Sequence, residues 1–215
     1  MFSIFIDSDS LPKPHRAMVI RRILKDNLYI KACHFASDRV LPDVRDAIEH
    51  HTASLRAPLR DTLEKEELRK IRSNIYMYIV ETGMNSADDK LVELSETPGF
   101  AITHDIPLAS RLIEKGLVVL DDRGHELTTE NIRARLSERN FMESLRQNGF
   151  VSDKTKNFDQ RTINEFASAF DSPIPVRFIN SSFEALLIEI LSDEDVLTSE
   201  LVSLLFCFIH ASLFL

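Results

Sequence analysis

The side chains in this chain best suited to chemistry are aspartates, and they recur at similar points. Asp7 and Asp9 end the apolar run Phe2–Ile6, while Asp88 and Asp89 follow Ser86-Ala87 at the start of a helical pattern. Asp105 closes Gly99-Phe100-Ala101-Ile102-Thr103-His104, and Asp121-Asp122 follows Leu117–Leu120. Two carboxylates about 5 Å apart at an effective dielectric near 20 repel by roughly 3 kcal/mol. Several converging in one crevice must protonate, recruit Lys or Arg, or bind a cation. Hard oxygen donors without a cysteine or histidine set suit Mg2+ or Mn2+. Such an ion can activate water and neutralise charge developing on a phosphate, the chemistry of metal-assisted phosphodiester hydrolysis. Each acid also has a purely structural use. Asp105 before Ile106-Pro107 is a natural helix N-cap, and carboxylates in a first helical turn complement the macrodipole. Asp7 and Asp9 fit that use less well, because i, i+2 spacing puts them on one face of an extended segment.

The elements that would hold these acids alternate. Phe2–Ile6, Leu28–Phe35, Ser73–Val80, Gly99–Thr103 and Leu117–Leu120 predict five strands. An apolar stripe at Ala17, Ile20, Ile23 and Leu24 predicts a helix after the first strand. Ser86–Ser95, Pro107–Lys115 and Thr129–Gln147 carry helical patterns between and after the later strands. Strands alternating with helices argue for an α/β domain with a central parallel sheet covered on both faces. In such a sheet every acid named above lies at the carboxyl edge, where ligands bind at the switch in strand order. The expected organisation is one α/β domain over 1–171 with a charged helical insertion at 38–72, then an acidic and apolar extension over 172–215.

Composition narrows the function. With 26 Lys+Arg against 34 Asp+Glu, the net charge is −8, which speaks against a generic basic nucleic-acid wrapper. No GxxxxGK, GxGxxG, HExxH or GxSxG pattern occurs. Cys33 and Cys207 are too distant in sequence to suggest a metal or redox pair, so reduced cytosolic thiols are the default. Met1–Ile6 lacks a basic n-region and does not read as a signal peptide. A cytoplasmic protein is therefore expected. Leu201–Leu215 is shorter than the about 20 residues a span needs, so no membrane span is predicted. Six acids and no base follow Arg177, and a helix within 173–215 is expected to pack on the core, a protein partner or a second copy.

Several segments together resemble a known bacterial family. Ile6-Asp7-Ser8-Asp9-Ser10-Leu11-Pro12 is similar to its VDADACP opening, and Ala87-Asp88-Asp89 with Leu91-Val92-Glu93 to its ADD and IVE segment. Thr103-His104-Asp105-Ile106-Pro107-Leu108-Ala109 resembles TADIPLA, and Asp121-Asp122-Arg123-Gly124 resembles NPRG. Asn131–Leu136 with Phe141–Arg146 resembles NIRERL and FMDxLR, and Asp159-Gln160-Arg161 with Phe166-Ala167 resembles DRQxFAN. This is the pattern of the uncharacterised YaiI/YqxD family. The resemblance implies a PIN-like nuclease fold: three layers, α/β/α, with strand order 3-2-1-4-5. That order would gather Asp7, Asp9 and Asp105 at the switch point with Asp88 and Asp89 nearby. Leu11 stands where the pattern has cysteine, Ser8, Ser10 and His104 where it has alanine, and Asp121-Asp122 where it has Asn-Pro. Residues 38–72 and the stretch after about 172 have no counterpart in the pattern.

Three functions follow as expectations. The first is a Mg2+- or Mn2+-dependent nuclease acting on RNA. Asp7, Asp9, Asp88 and Asp105 would be its catalytic acids, Asp89 an outer metal ligand, and Arg111, Lys115 and Arg123 its phosphate contacts. The second is a haloacid-dehalogenase-like phosphohydrolase with Asp7 of Asp7-Ser8-Asp9 as nucleophile, although Gly83–Asp89 lacks that family's early aspartate. The third is a non-catalytic binding module that works through 173–215.

Overall fold

Six residues in a row, Phe2 to Asp7, are buried, and this is what a mostly apolar run becomes when both faces of its sheet are covered. The run forms β1 (Phe2–Asp7) of a computed structural model that describes residues 1–25, 30–80, 86–148 and 160–171. The remaining elements are α1 (Lys13–Lys25), β2 (Ile30–Ser37), α2 (Pro42–Arg56), a 3-10 turn (Ala57–Leu59), α3 (Lys65–Lys70) and β3 (Ile75–Ile79). They continue with α4 (Ser86–Leu94), β4 (Gly99–Ile102), α5 (Ile106–Glu114), β5 (Val118–Leu120), β6 (Glu126–Leu127), α6 (Thr129–Gln147) and α7 (Gln160–Asp171).

The strands form one sheet in the order β3-β2-β1-β4-β5-β6. The first five are parallel, as the alternation requires. β6 pairs antiparallel to β5 and extends the expected sheet by one strand. Its two residues are too few to show a period. Its register, Leu120 opposite Glu126, is instead set by the turn between them, where the Asp121 amide donates to the His125 carbonyl at 2.9 Å. Helix α7 was not anticipated either; Phe166 and Phe170, one turn apart, are buried, and Phe170 packs on Phe100 of β4 at 6.0 Å between ring centroids.

On one side of the sheet Phe5, Ala36 and Ala101 pack under Leu91 of α4, Leu108 and Leu112 of α5 and Ile132 of α6. On the other side α1 contacts α2 and α7. In α1 the buried stripe is Val19, Ile20 and Ile23, together with His15 and Arg16. Ala17 and Leu24, expected to join it, are exposed. The charged stretch expected as an inserted helical pair forms α2, the 3-10 turn and α3, the whole crossover from β2 to β3. The start of the second strand expected at Leu28, Gly83, Gly149, Asp159 and the extension 172–215 lie outside the described residues. No helix among the described residues is long and apolar enough to cross a membrane.

β1 lies between β2 and β4, with Ile6 opposite both Phe35 and Ile102. From β1 the chain leaves toward β2, and β4 lies on its other side; this is the switch point, and the carboxyl ends of β1 and β4 open side by side there. The edge beyond β5 is shaped by Gly124 at φ +88°, where a Cβ would lie 2.8 Å from the Ala169 Cβ and 2.9 Å from the Glu165 carbonyl. Gly124→Ala combines a left-handed backbone with overpacking against α7. It is expected to lower unfolding free energy by about 2–4 kcal/mol in urea melts; an unchanged midpoint would mean that the turn relaxes freely.

Candidate functional site

Asp7 is the last residue of β1 and is buried. Its Oδ2 accepts a hydrogen bond from the Thr103 hydroxyl at 2.8 Å, and its Oδ1 accepts one from the Ser10 amide at 3.4 Å. Thr103, fully buried just past β4, uses the same oxygen to accept from the Asp105 amide at 3.0 Å. One hydroxyl therefore spans the ends of two strands. The Ser10 hydroxyl makes a second link, donating to the Asp7 carbonyl at 3.3 Å and accepting from the His104 amide at 3.1 Å. Asp105 is the N-cap of α5, its Oδ1 accepting from the Leu108 amide at 3.0 Å, with Pro107 in the first turn.

Asp88 arrives from the other side, in the first turn of α4. Its carboxyl is half-buried and its pKa is pushed up to about 6, first by burial and then by the Asp7 and Asp105 carboxylates, with Arg111 pulling the other way. Asp7, Asp88 and Asp105 thus share one electrostatic neighbourhood. Two of the other acids are turned elsewhere. Asp9 is exposed and faces the end of β2, accepting from the Ser37 hydroxyl at 2.6 Å and the Asp38 amide at 3.0 Å. Asp89 forms an exposed ion pair with Arg111 at 2.7 Å. Among the described residues no three acid, histidine or cysteine side chains stand close enough together to grip an ion as placed.

The three cations proposed for phosphate also separate. Lys115 donates to the Val92 carbonyl and to the carbonyl and hydroxyl of Ser95, so it closes the carboxyl end of α4. Arg111 serves Asp89. Arg123 lies in the β5–β6 turn, on the wall of a cavity of about 800 Å3 that begins beside Ser10 and Asp105 and continues under α6.

Residues outside the expected catalytic and phosphate-binding set do much of the positioning. Arg16, buried in α1, donates to the carbonyls of Ser8 at 3.3 Å and Leu11 at 2.7 Å and pairs with Asp43 of α2 at 3.0 Å. Its guanidinium satisfies the loop that carries Asp9, as five fixed donors allow. Nothing in the sequence separates it from Arg21 and Arg22 of the same helix, which are less buried. Asp121 is buried and accepts from the amides of Arg123 at 2.9 Å and His125 at 2.8 Å, which shapes the turn. Asp122 is 3% exposed and lies 3.0 Å from Nδ1 of His104, raising the histidine's pKa chiefly through that hydrogen bond. Both residues depart from the resembled family pattern, and here they touch.

A profile of the uncharacterised YaiI/YqxD family matches residues 40–175. The chain belongs to this family. It is 43% identical over 99 residues to a UPF0178 protein of Syntrophobacter fumaroxidans, covering 46% of this chain and 65% of that one. A UPF0178 protein of Citrifermentans bemidjiense is 38% identical over 128 residues, 60% of this chain and 83% of the relative. One of Vibrio atlanticus is 29% identical over 168 residues, 78% and 95% of the two chains. For several of the similar relatives the chain spans only about three-fifths of their length. No solved structure matches the chain. The YaiI/YqxD match takes in Asp88 and Asp105 and nearly all of the crossover 38–72, for which no family counterpart was expected. It leaves Asp7 and Asp9 outside.

A carboxyl whose folded pKa lies above its unfolded value binds more protons when folded, so its contribution to stability falls as pH rises through that interval. For Asp88 the interval runs from 3.8 to about 6. Asp88→Asn is therefore expected to stabilise the metal-free protein at pH 7.5 by about 1 kcal/mol, after solvent screening and loss of the favourable helix-end charge. The gain should vanish near pH 3.5. Thermal melts at the two pH values check this, and a variant less stable at pH 7.5 would contradict it.

Proposed function

We propose that this chain is a Mg2+- or Mn2+-dependent nuclease acting on RNA in the cytoplasm, on a PIN-like fold. The observation that carries the proposal is the half-buried Asp88 carboxyl at the switch point, its pKa raised first by burial and then by the Asp7 and Asp105 carboxylates. A carboxyl whose pKa is raised first by burial and then by two carboxylate neighbours is stabilised by any cation that replaces the proton. The donor chemistry fits a hard divalent ion, since all three groups are carboxylate oxygens and no described thiol stands with them. Asp7, Asp88 and Asp105 would hold it only after their carboxyls draw closer than they stand here, with Asp9 and Asp89 outside. When bound, the ion supplies charge neutralisation at a phosphate and an activated water.

The chain's own residues prepare that site. Thr103 and Ser10 hold Asp7 at the floor, so its carboxylate is oriented before anything binds. The α5 amide of Leu108 fixes Asp105 through one oxygen. Arg111, which lowers the Asp88 pKa while paired with Asp89, tempers the repulsion. The phosphohydrolase alternative has less behind it: Asp7 is buried and both its oxygens accept hydrogen bonds, poor preparation for a nucleophile. The binding-module alternative depends on 173–215, outside the described residues.

Calorimetric melts with increasing Mn2+ test the reading. At about 100 times the Kd the wild type should gain roughly 2.7 kcal/mol. Asp105→Asn keeps its helix cap and should fold normally, yet it and Asp88→Asn should lose the Mn2+ gain together with cleavage of a structured-RNA panel. Wild-type protein indifferent to Mn2+ would overturn the metal reading.

Proton competition at Asp88 adds a pH signature. Mn2+ affinity should fall by about tenfold per unit as pH drops below about 6, with proton release on binding in calorimetry. A flat affinity from pH 7 to 5 would place the ion away from Asp88.

A further inference from the structure

The two edges of the sheet are finished differently. β6 ends one with two residues, Glu126 and Leu127, a strand too short to template another. β3 ends the other with Ile75-Tyr76-Met77-Tyr78-Ile79, in unbroken register with β2. This strand has no charge, proline or bulge, the devices that keep exposed edges from pairing. Tyr76 is 43% exposed and Ile79 54%.

The β2–β3 ladder sets which backbone groups look outward. The Cys33 amide donates to the Asn74 carbonyl at 2.8 Å, and the Val80 amide to the Ser37 carbonyl at 3.0 Å. The period of two along a strand therefore turns the even-numbered residues toward β2 and Ile75, Met77 and Ile79 away from it. The Ile75 amide is already used, donating to the Ser73 hydroxyl at 3.0 Å. No strand among the described residues lies beyond β3 to take the amides of Met77 and Ile79.

The side chains also stop short at this edge. Phe5, His34 and Tyr76 lie in register across β1, β2 and β3, with rings stacked at 5.0 and 5.4 Å between centroids. Tyr76 is the outermost ring of that row. Tyr78 leans inward, its hydroxyl 3.1 Å from Nδ1 of His34.

The strand reads the same in both directions. A two-fold axis through Met77, perpendicular to the sheet, pairs two copies of it antiparallel and sets like against like. Met77 meets Met77 of the second copy, Tyr76 meets Tyr78 and Ile75 meets Ile79. Outward backbone at Met77 makes the central pair hydrogen-bonded. The Tyr76–Tyr78 pairs are then non-hydrogen-bonded, the kind in which side chains stand closest.

We infer that β3 is a homodimer interface: two copies join edge to edge through antiparallel β3 strands centred on Met77, and the row of rings continues into the second copy. Four backbone hydrogen bonds close the junction, two between the Met77 residues and two from the Ile79 amides to the Ile75 carbonyls. The carboxyl edges of the two sheets then face opposite ways and each copy keeps its own acidic crevice, so the inference is independent of the nuclease reading.

Sedimentation velocity of the full chain, from about 2 to 200 μM, tests it. The junction is small, and a Kd of about 10–100 μM is expected. Met77 faces its own copy, so Met77→Lys and Met77→Glu should each stay monomeric, while an equimolar mixture of the two should dimerise. Tyr76→Ala should weaken dimerisation by about tenfold. In hydrogen exchange the Met77 amide should become protected as concentration rises. Unchanged melting temperatures in dilute solution confirm folding; if the charged variants melt early, Tyr76→Ala and exchange at Met77 decide. A monomeric wild type, variants that dimerise like wild type, or a mixture that stays monomeric would each overturn the inference. So would a Met77 amide protected equally at every concentration, the mark of an edge covered by its own chain. Protection gained only on adding single-stranded RNA would overturn it too, making the row of rings a platform for bases.

Discussion

Two parallel strands end at the same level in the middle of this sheet, and two hydroxyls, those of Thr103 and Ser10, join them. Thr103 donates to Asp7 and accepts from the Asp105 amide, so the carboxylate of one strand and the helix cap of the other are placed by one oxygen. The link fixes negative charge where the sheet is covered on both faces and water is scarce. Whatever approaches from α4 must meet that charge, and Asp88 does. The low local dielectric that makes the Thr103 bond strong also makes the neighbouring carboxyls repel.

The rest of the molecule can be read as support for that arrangement. Arg16 reaches across from α1 to hold the carbonyls of Ser8 and Leu11 and ties itself to Asp43, so the loop after β1 is braced by the opposite layer. Lys115 binds α5 to the end of α4, the helix that delivers Asp88. Asp121 curls the β5–β6 turn around its carboxylate, and Gly124 lets that turn pass close to α7. Arg16, Lys115 and Asp121 each bond backbone groups of the loops and helix ends around the carboxyl edge.

Family membership and chemistry stand on different footings. The YaiI/YqxD match and relatives up to 43% identical establish kinship with proteins that are themselves uncharacterised. The chemistry proposed rests on this chain's own charges. The contact between His104 and Asp122 is a case in point, a pairing of two residues that both differ from the resembled pattern.

Strand and helix succession, the parallel sheet and the placing of acids at strand ends were legible in the residues. Alternating apolar runs and a parallel sheet's need for crossovers leave few other arrangements. The α5 cap was equally legible, because Asp before Ile-Pro is a local signal and the capping bond spans three residues. Direction was not. Asp7 and Asp9 share a face in an extended strand, yet the chain turns after Asp7, so one carboxylate goes down to Thr103 and the other across to Ser37. Likewise Lys115, Arg111 and Arg16 are indistinguishable from solvent-facing cations until their partners, 20 to 27 positions away, are folded against them. Periodicity determines which face of an element is apolar. Only packing decides which polar groups meet, because hydrogen bonds and charges act over a few ångströms in space regardless of separation along the chain.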